Sequence, residues 1–94
     1  MALNELQREV ASYDVRFGWT HDKPEETVLH MQEEVGEISR NMLAMLKYKK
    51  QKYDREEMND EISDLLYLTL KLGNLLKLNL DDGWARIGRR YKTK

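Results

Sequence analysis

Cysteine is absent from the 94 residues, and with it go disulfides, thiolate zinc sites and cysteine nucleophiles. Long apolar runs are missing too. No stretch approaches the ~18 residues of a membrane span, and the opening MALNELQREV lacks the uninterrupted apolar core of a signal peptide. The expectation is a soluble, cytoplasmic chain with no membrane partner. Neither charge sign dominates, since 16 basic residues face 17 acidic ones, so there is no global pull towards a nucleic-acid polymer. Proline occurs once and glycine five times, which leaves a composition rich in helix formers. With 40% of residues hydrophobic, the chain is too apolar for a disordered tail. Its length fits one domain over residues 1–94, with a core small enough that self-association is expected.

Apolar residues recur at helical spacing almost throughout, and no strand-like alternation persists. A first helix is expected from about Leu3 to Val15, followed by the loop RFGWTHDKP, where Gly18 breaks the pattern. Asp22 with Glu25 resembles a capping box before Pro24 in the first turn of a second helix, which extends to about Lys47 or slightly beyond. Asp54 with Glu57 opens a third helix reaching about Leu78, and Asn79 with Asp82 caps a short fourth through Arg89. The fold class is therefore all-α, a four-helix bundle.

One stretch of the second helix, MQEEVGEISR at 31–40, sets acids and a glycine among apolar positions. At about 100° per residue, Met31, Val35, Ile38, Met42, Met45 and Leu46 gather into one apolar arc. Glu34 sits at its edge and Glu37 one turn along, while Thr27, His30 and Asn41 extend the polar stripe and Glu33 and Arg40 turn to solvent. In the third helix Glu61 falls inside a leucine-rich face, with Asp64 one turn along. A carboxylate in such a face is costly to desolvate unless a cation accompanies it. Two helices that each present an i, i+3 carboxylate pair towards one core suggest four acids converging on a metal ion. Hard oxygen ligands without cysteine favour Mg²⁺ or Mn²⁺ over zinc. Gly36 would let a neighbouring helix approach closely. The plainer reading is that these pairs are solvated helix decoration, or that Glu61 pairs with an arginine.

EEVGE at 33–37, followed after 23 intervening residues by EISDLLYL at 61–68, resembles the MazG-type nucleotide pyrophosphohydrolases of the all-α nucleoside triphosphate pyrophosphatase superfamily. The family pattern is Glu-x-x-Glu, a gap of variable length, then Glu-x-x-Asp. A leading helix, a tryptophan-bearing loop at Trp19 and the final NLDDGW agree with it. The resemblance implies cleavage of a nucleoside triphosphate between its α- and β-phosphates, giving a nucleoside monophosphate and pyrophosphate and clearing non-standard or surplus nucleotides. Glu34, Glu37, Glu61 and Asp64 would hold Mg²⁺, with Glu33 the catalytic residue in reserve, either supporting those ligands from behind or helping to position water. Family members assemble as homodimers or homotetramers, and neighbouring subunits can complete their sites.

Substrate recognition is less sharply marked. Trp19 either stacks on the base, as the family's aromatic residues in this region do, or plugs the loop against the bundle. His21 either contacts substrate or is a plain exposed loop histidine, and Tyr67 either lines the base pocket or packs in a core or interface. Of two basic clusters, KYKKQK at 47–52 reads as a solvated connection, and GRRYKTK at the end, with Arg89 and Arg90, as the better phosphate candidate. The family's asparagine after the basic residue is missing there. A sister family, the phosphoribosyl-ATP pyrophosphohydrolases, shares the DLLYL-like second motif and ranks second. Its usual lysine before the glutamate pair and histidine after Leu-Tyr are replaced by Met31, Gln32 and Leu68. A third reading, from another class, is a non-catalytic helical interaction module whose acids pair with Arg40, Lys71 and the C-terminal arginines.

Overall fold

The computed structural model describes residues 2–48 and 50–92. Lys49 of the first basic cluster and the last two residues of the second lie outside them. Four helices follow in order: α1 (Leu3–Arg16), α2 (Pro24–Met45), α3 (Arg55–Leu75) and α4 (Leu80–Lys92). No strand occurs among the described residues. The long helices α2 and α3 pair most extensively, α1 lies against α3, and α4 reaches back to α1.

Three of the four helix starts are satisfied by carboxylate or amide side chains, only two of them in the expected way. Asp54 accepts from the Glu57 amide at 3.1 Å and Asn79 from the Asp82 amide at 3.2 Å. The start of α1 is capped from a distance, by Asp81 of α4, whose two oxygens accept from the Leu3 and Asn4 amides. The expected box at Asp22 does not form: α2 starts from Lys23 without a side-chain cap, because Asp22 receives a hydrogen bond from the Lys71 ammonium instead. A buried ammonium is the stronger partner for a carboxylate.

Helices α2 and α3 stop earlier than their apolar pattern. Lys47 and Lys77 adopt positive φ of 66° and 56°. The Lys47 and Tyr48 amides return to the Ala44 and Leu43 carbonyls, and the Lys77 and Leu78 amides to those of Asn74 and Gly73. Both are Schellman ends with lysine at the position that glycine usually takes. After α1 the same closure uses Gly18 at φ 76°.

A buried amide lock sets the pairing of α2 with α3. Asn41 donates through Nδ2 to the Asp54 carbonyl at 2.9 Å and accepts the Asp54 amide on Oδ1 at 3.2 Å. Gly73, not Gly36, is the close-approach glycine. A Cβ at Gly73 would meet Leu80 Cδ1 at 2.9 Å and Gln7 Nε2 at 3.1 Å, whereas at Gly36 it would meet nothing within 4 Å. Gln7 there bonds the Leu78 carbonyl and the Leu80 amide, which seats the α3–α4 turn on α1.

Between α1 and α3 the contact centres on a buried cation. Lys71, 4% exposed, lies 3.6 Å from Asp14 Oδ1 and donates to Asp22 Oδ2. Tyr67 donates its hydroxyl to the same Asp14 oxygen at 2.7 Å. Burial, followed by the hydrogen bond to and charge of Asp14, pushes the Tyr67 phenol far above its ordinary range.

Truly buried apolar side chains are few, chiefly Val10, Ala44, Met58 and Leu70. The radius of gyration is 15.9 Å, against about 12 Å for a compact domain of this length. The surface of 7660 Å² exceeds the roughly 5,700 Å² expected of a folded monomer of this mass.

Two outcomes follow for stability. Lys77→Gly should raise the unfolding free energy by about 0.5–1 kcal/mol in urea denaturation, by removing the cost of a left-handed β-carbon. Lys71→Met, which strands the Asp14 carboxylate, should lower it by about 3 kcal/mol. It should also shift Trp19 emission to the red as the loop around Asp22 loosens.

Candidate active site

Because α2 and α3 run antiparallel from the Asn41–Asp54 lock, equal steps along each helix reach facing positions. Seven residues back from Asn41 is Glu34, and seven forward from Asp54 is Glu61. Both steps cover about 10 Å of helix. The two carboxylates therefore meet at one level, each with its i, i+3 companion, Glu37 or Asp64, beside it.

Their electrostatics bear out this proximity. Glu61 is 6% exposed and Glu34 half-buried, and Oε2 of each is buried with no hydrogen-bond partner. Burial raises the Glu34 carboxyl above its usual range, and the charges of Glu37, Asp64 and Glu33 add to the shift. Burial also raises Glu61, with neighbouring Glu57 next and Glu37 and Glu34 behind. Such orphaned acceptors are expensive in a protein interior. Among the described residues no three His, Asp or Glu side chains close around one point as a ligand set. Like charges repel, and a bound cation would offset that repulsion. Hard oxygen donors with two buried, unpartnered atoms fit a small divalent cation.

Two of these acids, Glu34 and Asp64, lie at one end of a groove of about 390 Å³, lined also by Trp19, Asp22, His30, Glu33, Tyr67, Leu68 and Lys71, whereas Glu37 and Glu61 do not line it. Glu33 turns out to border this groove instead of only facing bulk solvent. Trp19 is 44% exposed, so it is not a sealed plug. Its indole packs on Phe17 with centroids 5.1 Å apart, and Lys71 Nζ lies 5.5 Å from the ring centre. Tyr67 both lines the groove and anchors to Asp14. His21, exposed on the loop, does not line the groove, and neither do Arg89 and Arg90, which with Gly83 and Arg86 border a separate depression on α4.

Lys71 is occupied by Asp14 and Asp22 and so does not serve the acids at 34 and 61, as the interaction-module reading would need. The Asp14–Lys71–Asp22 cluster itself is the part of the site that sequence reasoning missed. A lysine inside TLKLGNLL was the available signal, of the same kind as a glutamate among leucines.

Comparison with known proteins agrees with the all-α fold. The chain is similar to the uncharacterized protein YpjD of Bacillus subtilis, with 28% identity over 98% of this chain and 85% of that protein. It also superimposes on the crystal structure of the "putative pyrophosphatase YPJD" from Bacillus subtilis with a TM-score of 0.83 and 26% identity. That match covers 97% of this chain and 95% of the other. No helix among the described residues is long and apolar enough to cross a membrane. Of the two related all-α families that the acid motifs resemble, the model of the second, phosphoribosyl-ATP pyrophosphohydrolase, matches residues 5–91, and the chain, an all-α pyrophosphohydrolase, belongs to that family.

Proposed function

We propose that the chain is a cytoplasmic, Mg²⁺-dependent hydrolase that splits a nucleoside triphosphate between its α- and β-phosphates, with Mn²⁺ able to substitute. The observation that carries this reading is the pair of buried, unpartnered oxygens on Glu34 and Glu61, at one level of the α2–α3 pair. Glu34, Glu37, Glu61 and Asp64 would hold the metal, which when bound neutralises polyphosphate charge and polarises the phosphoryl oxygens. The remaining work falls to the chain's own groups. Glu33, at the groove rim beside Glu34, orients the attacking water and accepts its proton. The phosphates lie at the acid end, and the base lies against Trp19 and Tyr67. Helices α2 and α3 hold the acids and Tyr67 on rigid backbone, which limits the reorganisation that reaction requires.

Phosphoribosyl-ATP is the second substrate reading, favoured by the family match over residues 5–91. It calls for the same bond cleavage, so the acids keep their roles under either substrate.

A homodimer or homotetramer is part of the proposal. An apolar groove lined by Val28, Met31, Val35, Leu65 and Leu72 runs along the outer side of α2 and α3. Val28 and Val35 are 41% and 48% exposed. The surface excess noted above is about 2,000 Å² per chain, above the roughly 800 Å² each partner gives a standard interface and in the range of obligate homodimers. A second copy seated there accounts for both. Any phosphate contact from Arg89 or Arg90 would then come from another subunit.

With Mg²⁺ and a panel of nucleoside triphosphates plus phosphoribosyl-ATP, pyrophosphate release is expected from the parent. In Glu61→Gln it should fall by about hundredfold or more. Mg²⁺ at a hundredfold excess over its Kd should stabilise the parent by about 2.7 kcal/mol. Glu61→Gln should melt above the metal-free parent yet gain nothing from Mg²⁺. An unchanged metal response would remove the four-acid assignment. Val28→Glu should convert the assembly to monomers by light scattering, and a parent already monomeric would overturn the dimer.

A further inference from the structure

The groove has two chemically different ends. Along α3 the step from Asp64 to Lys71 is seven residues, or about 10 Å. The acid end carries Asp64 and Glu34, and Oε2 of Glu34 is buried without a hydrogen-bond partner. At the other end Lys71 is neutralised by Asp14 and Asp22, and Trp19 and Tyr67 supply the apolar surface. If phosphates occupy the acid end, the nucleoside extends towards the aromatic end. Its sugar comes first and the far edge of its base last.

Asp22 stands at that far end, and its placement is unusually well defined for a loop carboxylate. Its side chain is 48% exposed while that of its partner Lys71 is only 5% exposed. The ammonium cannot follow it into solvent, so Oδ2 is held at the groove wall. The loop backbone is tied at a second point, where the Trp19 amide donates to the Asp14 carbonyl at 2.8 Å. With Oδ2 taken by Lys71, Oδ1 is the acceptor that Asp22 can offer in the groove it lines. An ionised carboxylate only accepts hydrogen bonds. It pairs with an exocyclic amino group, as carboxylates do with the cytosine N4 amine, and it repels a carbonyl oxygen in the same place.

We propose that Asp22, fixed by Lys71 at the aromatic end of the groove, is a specificity-determining residue that accepts a hydrogen bond from the exocyclic amino group of the substrate's base. Amino-bearing bases such as cytosine and adenine are thereby preferred over their keto counterparts uracil and hypoxanthine. This deepens the nucleotide reading given above and rests on it. Lys71 is a positioning residue in the scheme, because it acts on the ligand only through Asp22. Substitution of Asp22 leaves Lys71 with Asp14, so the buried cation retains a partner.

The test uses nucleoside monophosphates, which need no turnover. In a Trp84→Phe background, Trp19 is the sole tryptophan and its quenching reports binding. CMP should bind about tenfold or more tightly than UMP, and AMP than IMP, as a hydrogen bond to a charged group allows. The deoxy form dCMP should match CMP. Asp22→Asn, whose amide can also donate, should shrink both ratios to about twofold or invert them. Equal affinities within the amino/keto pairs would overturn the proposal and leave pyrophosphohydrolysis standing. So would ratios that survive Asp22→Asn, or a preference set by the 2′-hydroxyl instead of the base. Absence of quenching by every monophosphate would overturn the proposal, and a parent that also releases no pyrophosphate from the triphosphate panel or phosphoribosyl-ATP would overturn the nucleotide reading separately.

Discussion

The amide–backbone lock between Asn41 and Asp54 is the constraint on which the acid site depends. A helix pair held only by apolar side chains can slide by a turn at modest cost, since one leucine replaces another. An amide that both donates to and accepts from one peptide unit has a single satisfactory register. At that register the polar positions of α2 and α3 face each other, and Glu34 and Glu61 meet. One turn of slippage would carry Glu34 and Glu61 to different levels and leave the amide unsatisfied in a buried place. Asn41 is 3% exposed, so water cannot readily make up the loss.

Helix α3 carries two buried ionisable groups and treats them in opposite ways. Lys71 is surrounded with compensation: two aspartates, with a tyrosine hydroxyl on one of them. Glu61 has acids for neighbours and an oxygen with no partner. Burial of an ionised group without compensation is destabilising. A fold that offsets one such charge fully and leaves the other exposed to its own kind keeps stability at one end of the groove and binding potential at the other. The separation is vectorial, because both residues lie on one rigid helix. The groove, lined by Asp64 and Lys71 of the same helix, inherits a polarity that a bound nucleotide, charged at one end and aromatic at the other, would match.

How much could be read beforehand depended on whether the deciding partner lay nearby in the chain. The four helices, the caps at Asp54 and Asn79, and the burial of Glu61 in a leucine face all follow from spacing within one or two turns. The helix ends did not, because lysines at 47 and 77 take a conformation for which glycine is the usual signal. The lost capping box at Asp22 depended on Lys71, 49 residues away, and the distal cap at Asp81 on residues 77 and 78 positions away. Gly36 offered a plausible reason for close packing that the structure assigns to Gly73 instead. In the groove, Glu33, Trp19 and Tyr67 could be named from type and position. The residues organising the far wall could not, since Asp14, Asp22 and Lys71 come from three separate segments.

The amide lock also separates two properties that the chain might have tied together. Because Asn41 and Asp54 close the α2–α3 hairpin from within, the path between them has no part in aligning the acids. Residues may be added to or removed from that connection without moving one motif against the other, as long as the chain can still return to Asp54. The cost of a longer closed loop grows only slowly, about 0.6 kcal/mol for each doubling. The spacing of the acid pairs along the sequence is thus free to drift while their spacing in the folded protein stays the same.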